Sequence, residues 1–320
     1  MISKQVLTEI MAEPKLYSPL KIGLLVVSIA YFLFTFHAMF TLSWIGEWEY
    51  LGGGSNLISF WIFITDISAA ITLVFRFIAS IIAVAAVIFY FAKKGLSAPT
   101  TFKVLNWILV LEAIYWLGLL VSGVWGVLPA EWGGFGTGGE GLHFNFGLLI
   151  TTGIPCLVAA TATPIALFKL AFQLNPNKPM KGAIKWGLIT GTVYIFVFWL
   201  SNTGMWIVTA MSRGTEYFSA YPENLLSFAL TTIGLLALAI FTAYFTKKSV
   251  GTETLEKLKL RTIGAIITAL GLYFLWNYLT WIFFGGWSDW YAWFLGHNLD
   301  LWMLSLPLVG LPLLFKRQAS

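Results

Sequence analysis

Charge is what this sequence has least of. Lys and Arg together number 19 and Asp and Glu 14, or 10% of 320 residues, where a soluble domain carries about 25%. So few charges cannot cover a water-soluble fold of this length, and that class is excluded. Histidine occurs three times, too few for a histidine-rich di-iron centre of the desaturase type. The single cysteine, Cys156, lies in an apolar run and cannot form an intrachain disulfide; it reads as a small buried hydrophobe. There is no Asp-x-x-Asp pair, no Gly-Lys-Ser/Thr phosphate-loop ending, no His-Glu-x-x-His and no serine–histidine hydrolase arrangement.

What fills the chain is apolar. The hydrophobic fraction is 58% and the mean hydropathy +0.82. Lipid is the solvent in which such a surface carries no penalty. A bilayer core about 30 Å thick needs roughly 20 apolar residues per spanning helix. Eight such runs are visible, near 21–45, 57–92, 103–128, 142–173, 183–211, 224–246, 262–285 and 295–315. The second is too long for one perpendicular span, so it is tilted, projecting or broken. The first twenty residues are mixed polar and a full-length apolar run follows, which predicts an uncleaved anchor.

The formal charge of +5 suggests nucleic acid, but its distribution excludes that partner. Basic residues cluster between apolar runs: Lys93, Lys94 and Lys103; Lys169, Lys178, Lys181 and Lys185; Lys247, Lys248, Lys257, Lys259 and Arg261; Lys316 and Arg317. With an even number of spans these clusters, with Lys4, Lys15 and Lys21, share one side. Glu47, Glu49, Glu131, Glu140, Glu216, Glu223, Asp289 and Asp300 share the other with Arg213. Positive charge stays inside, so both termini are expected to be cytoplasmic in a cell membrane. Trp44, Trp48, Trp125, Trp132, Trp206, Trp287, Trp290, Trp293 and Trp302 fall at the outer ends, as an interfacial aromatic belt requires. The densest stretch, 287–302, is also a candidate docking surface for a partner.

The two halves resemble each other in order. Lys21-Ile22-Gly23 matches Lys185-Trp186-Gly187, and Asn56-Leu57-Ile58-Ser59-Phe60 matches Asn224-Leu225-Leu226-Ser227-Phe228. Tyr90-Phe91-Ala92-Lys93-Lys94 matches Tyr244-Phe245-Thr246-Lys247-Lys248, and His143 matches His297. From Asn56 to Tyr90 is 34 positions against 20 from Asn224 to Tyr244, so the second span of the first half is 14 residues longer. The expected fold is therefore an all-α integral membrane protein of about eight transmembrane helices, in two tandem four-helix repeats of the same orientation. Residues 1–20 form a cytoplasmic segment, 21–173 the first repeat, 174–184 a cytoplasmic linker and 185–320 the second repeat. Such repeats relate by an axis along the membrane normal and often place a site at their interface.

Ionisable residues inside a span are costly and so are candidate functional groups. They are Asp66, Arg76 and Glu112. Asp66 and Arg76 are ten residues apart, about 15 Å on a continuous helix, so the expected partner of Arg76 is Glu112 on the next span. That pair reads either as a structural lock between helices or as part of an ion path. The histidines His37, His143 and His297 all fall toward the outer face. Glu140 precedes His143 by three residues and Asp300 follows His297 by three, a spacing that puts both groups on one helix face. Imidazole with carboxylate suits copper, zinc or iron; two histidines from different helices suit an axial haem or a quinone headgroup. The alternative is a hydrogen-bonded pair at the interface. Residues 129–142 form a glycine-rich outer loop. Pro155, Pro164, Pro307 and Pro312 interrupt the fourth and eighth runs, as broken helices lining a site or as packing kinks.

Three function classes follow. The leading one is a polytopic membrane subunit of a redox or respiratory-type complex, its outer histidines facing a metal, haem, quinol or partner protein. The second is a carrier or channel for a small solute or ion using Asp66, Arg76 and Glu112. The third is a non-catalytic membrane scaffold for an extracytoplasmic partner. Expected partners are the lipid bilayer and other membrane or extracytoplasmic subunits.

Overall fold

In the computed structural model the described residues are 18–41, 57–92, 98–127, 154–175, 177–213, 222–254, 258–284 and 298–315, and these are all-helical in their regular structure. The helices follow the apolar runs. They are α1 (Ser18–Thr41), α2 (Leu57–Ala92), α3 (Ala98–Val127), α4 (Ile154–Gln173) and α5 (Met180–Arg213). The sixth run is α6 (Pro222–Ala229), one π-helical turn (Leu230–Gly234) and α7 (Leu235–Ser249). The seventh is α8 (Leu260–Phe284). The eighth is a 3-10 helix (Asn298–Ser305) followed by α9 (Pro307–Phe315). Among the described residues five helical segments, in α1, α2, α3, α5 and the continuous stretch Leu225–Ser249, are long and apolar enough to cross a membrane, and shorter apolar stretches lie at Leu260–Trp276 and Trp302–Phe315.

α2 is one unbroken helix of 36 residues, about 54 Å at 1.5 Å per residue. Of the three ways to accommodate the long second run, a break is thereby removed. Its length exceeds a bilayer core of about 30 Å, so it tilts or projects. The backbone positions of Asp66 and Arg76 are then about 15 Å apart along one rod.

The distribution of side chains is that of a lipid-solvated bundle. Phe172, Ile233 and Phe315 are 70%, 69% and 74% exposed, whereas Ser80, Thr163 and Thr231 are fully buried. Water would reverse that arrangement; lipid gains nothing from burying large apolar groups and leaves the interior to small and hydroxylated ones. A buried hydroxyl is then favoured to bond within the protein. Ser28, Thr35, Ser80, Thr190 and Thr242 return their hydroxyls to the carbonyl three or four residues back. Others cross between helices: Asn106 Nδ2 donates to Ala171 O at 2.9 Å, and the hydroxyls of Thr192 and Thr246 meet at 2.8 Å.

The helices pack in chain order: α1 on α2, α2 on α3, α3 on α4, α4 on α5 and α5 on α7. α8 packs on α9, and both pieces of the eighth run return to α1. This last closure is made by glycine. A Cβ on Gly23 would collide with the Leu308 carbonyl, and Gly264 and Gly271 of α8 lie against the α9 backbone and Pro307. Gly264, Thr268 and Gly271 share one face of α8, a small-residue stripe that lets backbones touch. The prolines explain the break beside it. Pro307 opens α9, where its missing N–H is harmless, and the preceding turn of chain is 3-10 instead of α. Pro155 likewise sits in the first turn of α4, while Pro164 and Pro312 lie inside their helices.

Candidate functional site

The polar centre is built on three helices and closed by a fourth segment. Arg76 sits midway along α2 and Glu112 near the middle of α3. Their side chains meet, Nε to Oε1, at 3.3 Å, with side-chain exposures of 3% and 14%. The apolar face of each helix is thus interrupted by one charge, and the two charges face each other across the α2–α3 contact. A lone charge at this depth would be costly; the pair is neutral overall.

Aromatic rings complete the enclosure. The Arg76 guanidinium lies 4.6 Å from the Tyr115 ring centroid and 5.8 Å from that of Tyr31. Tyr115 is one turn beyond Glu112 on α3, and Tyr31 comes from α1. A planar guanidinium stacks on aromatic faces while keeping its N–H groups for hydrogen bonds. Tyr31 in turn meets Trp302 of the 3-10 helix edge to face at 5.4 Å. The centre therefore draws on α1, α2, α3 and the eighth run. On the α5 side, Trp116 packs against Tyr115 and against Tyr194 at 5.6 Å.

Several shielded polar atoms here find no hydrogen-bond partner among the described residues: the Tyr31 hydroxyl, Trp116 Nε1, Thr163 Oγ1 and Trp302 Nε1. Thr163 belongs to α4, and its place follows from the Asn106–Ala171 bond. Glu112 is six residues from Asn106 and Thr163 eight from Ala171, which sets them within about one helical turn of the same depth.

A second cluster, of aromatic and hydroxyl groups, lies farther along the chain. The Thr231 hydroxyl, within the π turn, bonds the Tyr273 hydroxyl of α8 at 2.7 Å. The wide turn also leaves the Thr232 carbonyl accessible, and Trp199 Nε1 donates to it at 3.1 Å. Such π turns recur at functional positions.

The structure brings together Arg76 and Glu112 and leaves Asp66 elsewhere on the α2 backbone. His37 and Asp66 lie in α1 and α2, and Asp300 in the 3-10 helix, but their side chains are outside the described residues. Glu140, His143 and His297 lie outside the described residues altogether, as does the glycine-rich stretch 129–142. No group of three or more His, Cys, Asp or Glu suited to a metal occurs among the described residues. The site members that sequence reading missed are Tyr31, Tyr115 and Trp302. Nothing marks them in a chain with 12 Tyr and 16 Trp; Tyr31 and Tyr115 are selected by their contact with Arg76, and Trp302 by its contact with Tyr31. Comparison with known proteins gave no match: no family model, no curated protein and no solved structure is similar to this chain.

Proposed function

We propose that this chain is an eight-span membrane subunit of a redox or respiratory-type assembly. In this reading both termini are cytoplasmic, and His37, His143 and His297 face a metal, haem, quinol or partner at the outer side. The observation that carries it is the closed state of Arg76 and Glu112. Their charges neutralise each other under aromatic rings, with Arg76 2% exposed. A carrier needs polar groups that solute can reach; a redox subunit needs a dry, rigid bundle that presents groups at its outer edge.

A tandem duplication is supported by three correspondences. α1 packs on α2 as α5 packs on α7, and α3 on α4 as α8 on α9. The matched glycines face corresponding runs: Gly23 lies against the backbone of the eighth run, and Gly187 is in ordinary contact with Leu170 of α4. Aligned on Tyr90 and Tyr244, Arg76 falls opposite Leu230, the residue before Thr231. Aligned on Lys103 and Arg261, Tyr115 falls opposite Tyr273. The Thr231–Tyr273 contact therefore lies one residue off the counterpart of the Arg76–Tyr115 contact, one neutral and one charged. Orientation is supported by lysines at one set of helix ends. Lys21 lies over the Tyr90 ring, and Lys178 donates to the Phe172 carbonyl at the end of α4, as snorkelling lysines do.

The test is chemical analysis of the protein purified within its native assembly. Optical spectra, metal content and quinone extraction are expected to return haem, a transition metal or quinone. Absence of all three from the intact assembly refutes the redox reading, and unchanged assembly after His→Gln substitution at each histidine then favours a scaffold. A second reading, a carrier, draws on the broken eighth run and the π turn of the sixth, since discontinuous helices line transport sites. It predicts that a cysteine placed at Leu73 or Ala113, beside the ion pair, reacts with water-soluble thiol reagents; the redox reading predicts no reaction.

A further inference from the structure

We propose that the lysine-bearing ends of α4, α5 and α7 form a docking surface for anionic phospholipid. This surface requires no redox cofactor, and it is the same whichever side of the membrane these ends face. The three helices are neighbours, α4 packing on α5 and α5 on α7. Their register brings the cations to one depth. A Cβ on Gly182, at the start of α5, would collide with the side chain of Gln173, at the end of α4, so those two positions share a level. The Thr246 hydroxyl of α7 approaches the Leu188 carbonyl of α5 at 3.4 Å, which fixes a second level. Counted from Gly182 at about 1.5 Å per residue, Lys185 lies about 4.5 Å deeper along the bundle, and Lys169 and Lys248 about 6 Å deeper. Lys178 and Lys181 flank this level at the α4–α5 corner, and Lys247 adjoins it on α7. These lysines are exposed, and none pairs with a carboxylate among the described residues.

The corner is tied down, and apolar faces continue from it. The Lys178 N–H donates to the Asn175 carbonyl at 3.0 Å and the Asn177 N–H to Asn175 Oδ1 at 3.0 Å, which closes the turn between α4 and α5. Lys178 Nζ donates to the Phe172 carbonyl at 2.7 Å. An ammonium carries three N–H groups, so two remain for an anion. Lys248 Nζ is held 4.6 Å from the centroid of the Tyr244 ring. On α4 the exposed residues Val158, Ile165 and Phe172 recur at every second turn. On α7 the exposed Ile240, Phe241 and Tyr244 share the face that ends in Lys247 and Lys248. Cations at one depth, each continued by an apolar face, match a molecule with an anionic head and hydrocarbon tails. An acidic peptide or a nucleic acid would use the cations and leave the apolar faces unmatched. Charge favours the anionic over the zwitterionic headgroup, by about fivefold for each lysine near the lipid surface.

The test places the full chain in phosphatidylcholine bilayers, with spin-labelled phosphatidylglycerol or spin-labelled phosphatidylcholine as probe, and reads the motionally restricted lipid by electron spin resonance. Phosphatidylglycerol is expected to associate several-fold more strongly, and the preference to fall in about 1 M salt, where the screening length is about 3 Å. Lys169→Gln/Lys185→Gln/Lys248→Gln is expected to lower the preference by about fivefold or more, with helicity by circular dichroism unchanged. Lys21→Gln, on α1, which packs on α2 and the eighth run, is expected to leave it unaltered. A photoactivatable phosphatidylglycerol is expected to label peptides from 154–192 and 235–249 of the unaltered chain. Soluble glycerophosphoglycerol at millimolar concentration is expected not to compete. Equal restriction of the two spin-labelled lipids, an undiminished preference in the triple variant, an equal loss in Lys21→Gln, or labelling confined to other helices overturns the surface. Competition by the soluble headgroup overturns the lipid as occupant and makes this a site for a free phosphate ester.

Discussion

Removing the Glu112 charge tests the polar centre most directly. Glu112→Gln keeps shape and volume but leaves Arg76, 2% exposed, without its counter-charge. At the 3.3 Å separation, two unit charges attract by about 5 kcal/mol at an effective dielectric of 20. Removing one partner of a buried pair costs about 3–5 kcal/mol in measured cases. The Tyr115 ring at 4.6 Å offsets some of the loss, because a desolvated cation–π contact contributes about 2 kcal/mol. The expected destabilisation is therefore about 3 kcal/mol for Glu112→Gln, and somewhat more for Arg76→Met, which loses the ring contact too. Glu112→Gln/Arg76→Met removes both charges, and its cost is expected to fall below the sum of the singles by about 1–3 kcal/mol. The assay is reversible detergent denaturation in bicelles, followed by circular dichroism, on wild type, both singles and the double. Additive singles, each under about 1 kcal/mol, would refute the reading of an energetically closed pair.

Three further outcomes follow from packing and topology. Gly23→Leu and Gly264→Leu force side chains into backbone contacts with the eighth run; each is expected to detach 298–315, seen as loss of a Cys–Cys crosslink between α1 and α9, while Gly191→Leu, where a Cβ meets nothing within 4 Å, retains it. Thr246→Val removes the hydrogen bond to Thr192 and is expected to cost about 0.6 kcal/mol and at most about 1.7 in the same denaturation assay. The proposed orientation predicts that a cysteine at the exposed position Asn177 reacts with a membrane-impermeant maleimide only after permeabilisation. Reaction in intact cells would invert the orientation and move every candidate site with it.

How much of this was legible beforehand differs by level. Composition was enough for the solvent: with 10% charge and 58% apolar residues, only lipid leaves the exposed Phe172, Ile233 and Phe315 without penalty. Run length was enough for the all-helical class and for five membrane-length helices among the described residues, because backbone groups in hydrocarbon must pair within their own segment. Spacing was enough to separate Asp66 from Arg76 and to name Glu112 as the available partner, since rise per residue is fixed.

Tertiary structure decided what distance along the chain cannot encode. That Tyr31, stacked on the Arg76 guanidinium, is itself met by Trp302, 271 positions away, depends on the eighth run returning to α1. That return depends on backbone approach at Gly23, Gly264 and Gly310, visible only once the helices are placed. The long second run was open to tilt, projection or breakage until α2 proved continuous. The π turn at Leu230–Gly234 has no periodicity of its own, because inserting one residue into a uniformly apolar helix leaves the pattern unchanged. Local chemistry fixes which segments enter the membrane; which side chains meet there is set by the closest approach of helices that the sequence records only as scattered small residues.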